Sequence, residues 1–291
     1  MKTILVATDF SDASRNASLY AVEMAKAFHA RLILFTAYRQ MSVPANESAL
    51  IGASEDMGKV SQQLLELEAK AIYSEKEISL EISYKEGFTT DAILETAREM
   101  KADLIITGMK ATGKGFKKVF GSVVTRLSKK TNIPMIVVPE NTRYTPINTI
   151  AIANESDLPP DTDSHLLYSL RYIAERFHSK VYIVRVFNDN FRDVHEWSAH
   201  PLKLERTIRT IDPMYKRVEG NEIPASLNKF IRGYNVNLLA ILPHSHNLLE
   251  RIFIKSTTSS IIFESYIPLL ILPTLNKKLK NKWSQKKAHT K

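Results

Sequence analysis

The sequence contains no cysteine, which excludes disulfides and thiolate-bound metal and fits a reducing compartment. It also lacks any apolar run approaching the roughly 18 residues needed to cross a bilayer, so no membrane partner is expected. A strand pattern begins almost at Met1. No signal or transit peptide is therefore expected, and a cytoplasmic location is the default. Catalytic signatures are missing as well. There is no G-x-S-x-G elbow, no H-E-x-x-H, no G-x4-G-K-[ST] phosphate loop, no S-G-G-x-D and no H-I-G-H. An efficient enzyme is not expected from such a chain.

What is present is an ordinary soluble composition, 44% hydrophobic and 24% charged, over 291 residues. The formal net charge is +9. Seven lysines and no acid fall between Asn276 and Lys291, so the rest of the chain carries only +2. The tail, 276–291, reads as a solvated, disordered basic terminus. It can touch anionic surfaces non-specifically, but no aromatic-interleaved basic stripe marks a specific nucleic-acid partner.

The chain repeats itself. Residues 102–139 align without a gap on 236–273 at an offset of 134, with Ile133-Pro134 on Ile267-Pro268 and Pro139 on Pro273. Asp103 meets Asn237 and Ser122 meets Ser256. Upstream, Glu86-Gly87 pairs with Glu219-Gly220, and ILVATDFS (4–11) pairs with IAIANESD (150–157). A repeat of this size predicts two duplicated domains, each closing its own core, and not a solenoid. The expected boundaries are 1–140 and 147–275, with the join in the polar stretch Glu140–Asn148.

Each half alternates strand and helix. In the first, apolar runs or alternation predict strands at Ile4–Ala7, Arg31–Ala37, Ile78–Lys85, Asp103–Thr107 and Ile133–Val138. Helical spacing predicts a helix ending near Phe28, then helices at Lys59–Glu75, Asp91–Lys101 and Ser122–Lys130. The second half predicts strands at Thr149–Ala153, Val181–Val186, Met214–Val218, Leu238–Leu242 and Leu269–Leu272. Its helices are predicted at Ser164–His178, near Pro201–Thr210, at Ile223–Tyr234 and at Thr257–Phe263. Such alternation implies an α/β fold, a mostly parallel sheet with helices on both faces.

Ligands of open parallel sheets bind outside the carboxyl ends of the strands, where strand order reverses. In the first half those ends are Thr8-Asp9, Thr36-Ala37 and the segment 108–122, GMKATGKGFKKVFGS. Its glycines let backbone approach a phosphate, Gly121-Ser122 opens a helix whose N–H groups suit an anion, and four lysines add charge. A strand-end aspartate is placed to accept from a ribose hydroxyl or an adenine amine. Read alone, the same segment is also an ordinary surface loop.

Taken together, the ATDFS start, the ADLIITG strand, a loop close to G-x2-G-x9-G-[ST] and the closing I-P-x-I-V-V-P strand resemble a tandem universal stress protein. The resemblance runs to about residue 273. It implies two tandem open parallel five-stranded sheets, each of order 3-2-1-4-5, and pairing of the two units through their last strands as an intramolecular pseudo-dimer. It also implies an adenine-nucleotide site for ATP or AMP, with Mg or Mn accompanying the phosphates; Thr8-Asp9 and the loop lysines are expected to support slow ATP hydrolysis at most. Carried over by match are Asp9, Ala37 (through its backbone), Gly108, Gly121 and Ser122, and the expected nucleotide site also takes in Thr8, Thr107, Lys110, Ala111 and Val123. One position departs from the pattern: the second motif glycine is Ala111.

The second half departs further, with Leu242, Ser245 and Lys255 where the motif asks for glycine, and Glu155 in place of Asp9. His244, His246 and Glu250 stand there instead. They are either divalent-metal ligands, since imidazole and carboxylate suit zinc or manganese, or hydrogen-bonding surface residues. The expected function is a stress-response regulator binding one nucleotide in its first half, with an unknown protein partner and a homodimer possible. The alternative is a scaffold that binds no nucleotide and works through its pseudo-dimer surface.

Overall fold

The structure, a computed structural model, describes residues 1–39, 57–72, 78–110, 122–154, 167–187, 209–219, 223–241 and 266–273. Five strands come from the first half: β1 (Thr3–Ala7), β2 (Arg31–Tyr38), β3 (Leu80–Glu86), β4 (Leu104–Met109) and β5 (Met135–Pro139). Five more come from the second: β6 (Thr149–Asn154), β7 (Lys180–Phe187), β8 (Met214–Glu219), β9 (Leu238–Ile241) and β10 (Leu269–Ile271). The helices are α1 (Asp12–Phe28), α2 (Met57–Ile72), α3 (Thr89–Glu99), α4 (Ser122–Lys130), α5 (Tyr168–Phe177) and α6 (Ile223–Gly233). Among the described residues the predicted ends move by a few residues at most; of Ser164–His178 they show Tyr168–Phe177 as helix, and 164–166 lie outside them. The helix expected near Pro201–Thr210 lies mostly outside the described residues, which show a 3-10 turn at Arg209–Ile211. The helix expected at Thr257–Phe263 lies wholly outside them.

The two expected five-stranded units are paired through their last strands, as the resemblance implied, and the pairing merges them into one sheet instead of two. All ten strands make one sheet, in the order β3-β2-β1-β4-β5-β10-β9-β6-β7-β8. Within each half the order is indeed 3-2-1-4-5 and every pairing is parallel. The join is antiparallel, with Leu269 opposite Val137, Leu270 opposite Ile136 and Ile271 opposite Met135. The physical reason is the last strand of each half. Every residue of β5 and β10 is buried, and an apolar strand left as an edge would strand a row of N–H and C=O groups. Pairing the two edges removes both.

The expectation that each half closes its own core is corrected in the same way. Alternate residues of the strands face opposite sides. Ile4, Val6, Leu32 and Leu34 join α1, α2 and α5 on one face, and Leu5, Ile33, Phe35 and Ile105 join α3, α4 and α6 on the other. Each of these layers runs across the β5–β10 join and contains residues of both halves.

Matched positions of the repeat do matched work. Asp103, at the foot of β4, accepts from the backbone N–H groups of Lys2 and Thr3 beside β1. Asn237, at the foot of β9, accepts from Thr149 N at 3.0 Å. Each therefore clamps the fourth strand of its half to the first, a structural role that explains the pair without invoking a ligand. The expected turn at Gly87 is present, with φ of 149°, a conformation open to glycine.

Candidate functional site

The order 3-2-1-4-5 means that the chain leaves β1 for β2 on one side and reaches β4 on the other. The crevice between the carboxyl ends of β1 and β4 is the switch point at which doubly wound sheets take their ligands. A cleft of ≈ 380 Å³ opens there, large enough for a small organic ligand.

Eight of the ten expected site positions line this one cleft. Thr8, Asp9, Ala37, Thr107 and Gly108 come from the strand ends, and Lys110, Ser122 and Val123 from the far side. Ala111 and Gly121 lie outside the described residues, as do Glu155, Leu242, Ser245, Lys255 and the tail 276–291. His244, His246 and Glu250 also lie outside them, so the metal expectation is not addressed by the described geometry. The remaining wall consists of residues that the motif does not mention. Phe35, Met109 and Val124 are apolar, and Thr89 and Ile93 stand one helical turn apart at the start of α3. The i, i+4 spacing of that last pair was the available signal.

The turn after β1 is closely bonded. Ser11 caps α1 by accepting from Ser14 N. Asp9 Oδ1 accepts from Ser11 N at 3.1 Å and from Ser11 Oγ. Phe10 N donates to Thr8 Oγ1 at 3.0 Å, and Asp9 N reaches Ser14 Oγ at 3.4 Å. Three successive N–H groups, those of Asp9, Phe10 and Ser11, thus have partners inside the turn. This turn is not an anion nest. Free N–H groups belong to a helix start, and the α4 start, with Ser122 and Val123, lies on the cleft wall beside Lys110.

Partial burial pushes the Asp9 carboxyl up. Hydrogen bonds from the Ser11 and Ser14 side chains and the Ser11 backbone, together with the Lys110 charge, outweigh it, and the net shift is downward. Asp9 is ionised at neutral pH as an acceptor.

Gly108 has a reason of its own. A Cβ there would stand 2.3 Å from Ala13 O, 2.5 Å from Ala13 C and 2.8 Å from Ser14 N. The carboxyl end of β4 therefore packs directly on the backbone of the first turn of α1. The motif suggested that this glycine lets backbone approach a phosphate; the contact that requires it is between helix and strand.

A doubly wound α/β protein with a cleft at its switch point is the class that these features define. The profile described as "Universal stress protein family" matches residues 1–139. A universal stress protein of Synechocystis is 30% identical over 138 residues, covering 47% of this chain and 85% of the relative. One from Methanocaldococcus jannaschii is 32% identical over 145 residues, covering 47% and 81%. The chain belongs to the universal stress protein family. Over its whole length the fold is similar to the crystal structure of a universal stress protein from Archaeoglobus fulgidus, with a TM-score of 0.66, 15% identity, and 93% and 98% of the two chains covered.

Proposed function

We propose that the chain is a tandem universal stress protein that regulates a stress response by binding one adenine nucleotide, ATP or AMP, in the cleft of its first half. The observation that carries this reading is the convergence of strand-end and loop positions, some 100 residues apart in sequence, on one cleft with an apolar wall and a polar rim. The apolar side chains of Ala37, Met109 and Val123, which keep some accessible surface in the cleft, suit the face of a purine. Asp9, an ionised acceptor, suits ribose hydroxyls. Because the β1–α1 turn has used its own N–H groups, the phosphates are assigned to Lys110 and the start of α4, where a helix N-terminus favours an anion. A magnesium or manganese ion accompanies the phosphates in this reading, supplying charge neutralisation there.

The scaffold alternative draws on one observation. Met57, Leu64 and Leu67 share a face of α2 and are 36%, 41% and 62% exposed. Titration calorimetry separates the two readings. One site per chain is expected, with ATP held more tightly than adenosine and weakened by salt. Gly121→Val, at the motif position that opens α4, is expected to abolish binding, as is Ala37→Phe, which places a ring in the cleft. Absence of binding by the unmodified protein, after any co-purified ligand has been removed, favours the scaffold. Two equivalent sites would show that the second half had been misread.

A further inference from the structure

We infer that Glu68 is a positioning residue for this cleft, holding the Thr8 hydroxyl and, through it, the turn that presents Asp9. The inference deepens the proposed nucleotide site and rests on it for its functional consequence. Glu68 lies on the inward stripe of α2, in step with Ser61, Leu65 and Ile72, and is 5% exposed. A leucine at that place would satisfy the packing. A carboxylate there costs stability unless its oxygens find donors, and both do. Oε2 stands 3.0 Å from Thr8 Oγ1 and Oε1 stands 3.0 Å from Ser18 Oγ. Ser14 and Ser18 belong to the first two turns of α1, whose N-terminal dipole also favours the negative charge.

Thr8 is the pivot because its hydroxyl has one proton and two candidate acceptors, Glu68 Oε2 at 3.0 Å and Ser14 Oγ at 3.1 Å. A carboxylate is the stronger acceptor, so the proton points to Glu68 and the lone pairs of Thr8 turn toward Phe10 N. That bond holds Phe10 at φ of 63°, a left-handed conformation that a bulky side chain adopts only when its surroundings impose it. Fixing Phe10 in turn fixes Ser11, whose N–H and hydroxyl aim the Asp9 carboxylate. Glu68 does not line the cleft, whereas Thr8 and Asp9 do. It therefore acts through them.

Glu68→Gln keeps the shape and replaces one acceptor with a donor. In the ligand-free protein, exchange of the Phe10 and Ser11 amides is expected to accelerate on the order of tenfold while that of Leu5, in the middle of β1, is unchanged. ATP affinity by calorimetry should fall on the order of tenfold. Thr8→Val should reproduce both effects, and adding Glu68→Gln to it should change neither further. If Glu68→Gln does not fold, Thr8→Val alone decides through the Phe10 amide. Unchanged Phe10 exchange in a folded variant overturns the inference. Accelerated exchange with unaltered ATP affinity also overturns it and leaves the nucleotide reading standing. If the unmodified protein binds no ATP, the proposed function falls. The role of Glu68 at the site falls with it, and the exchange arm then reports only on the turn.

Discussion

At Gly108 the neighbours that a Cβ would meet are backbone atoms of Ala13 and Ser14, which cannot swing aside as a long side chain would. Gly108→Ala is expected to push β4 and α1 apart and to cost roughly 1–3 kcal/mol, the range of overpacked cores. Urea denaturation measures it, and a loss below about 0.5 kcal/mol would show that the helix start yields easily. Asp9 gives a second residue-scale expectation. Its carboxyl is held below the ordinary 3.8 in the folded protein, so its contribution is fully present above that value and is lost as pH falls through the lowered folded value. Asp9→Asn should therefore flatten the acid limb of the stability curve below about pH 4 and cost stability at pH 7. A variant whose acid limb matches that of the parent would place the carboxylate outside the turn's hydrogen bonds.

Helix endings recur across the two halves. The chain turns left-handed at His29 after α1, Lys101 after α3, His178 after α5 and Asn235 after α6, with φ between 50° and 53°. The next N–H then reaches back five residues each time, from Ala30 to Ala25, Ala102 to Ala97, Ser179 to Ala174 and Val236 to Ile231. This is the Schellman closure, at positions where glycine is the usual choice. A histidine pays for the left-handed conformation with its Cβ. His29→Gly and His178→Gly are each expected to raise stability by about 1 kcal/mol in urea melts; a loss would mean that the imidazoles make contacts worth more than the strain. These endings were only partly legible, because the residue type that normally marks them is absent at all four.

For the whole molecule, the β5–β10 join is the feature on which the single sheet depends. Leu270 is fully buried and pairs with Ile136 on one side and Ala240 on the other. Leu270→Pro removes a ladder donor in the middle of the sheet and is expected to cost about 3 kcal/mol or more. In the unmodified protein, the amides of Met135–Val138 and Leu269–Ile271 should exchange only through global opening. Rapid exchange of either segment at neutral pH would mean that the join opens by itself. The linker supports the same junction: Asn16 Nδ2 donates to Pro139 O and Thr142 O, and Thr142 Oγ1 donates to Tyr266 O. Both core layers cross the join, so thermal unfolding is expected as one transition. Two separated transitions in calorimetry would restore the picture of independent cores.

The sequence by itself determined the α/β alternation, the duplication, the family and the residues gathered at the first-half strand ends. Each of these is written locally, in hydrophobic period, in an offset of 134 or in a strand-end motif. Pairing of the halves through their last strands was expected and is present; tertiary structure alone decided that it is an antiparallel ladder making one continuous sheet with two shared core layers, because which residues pack together across the join is set by parts of the chain far apart in sequence. It also decided that Gly108 serves a helix–strand contact, since nothing adjacent in sequence reveals what a Cβ would strike. Glu68 was hidden for the same reason. A glutamate on a helix reads as solvent-facing until the fold shows that its oxygens meet Thr8 and Ser18, which lie 60 and 50 residues away.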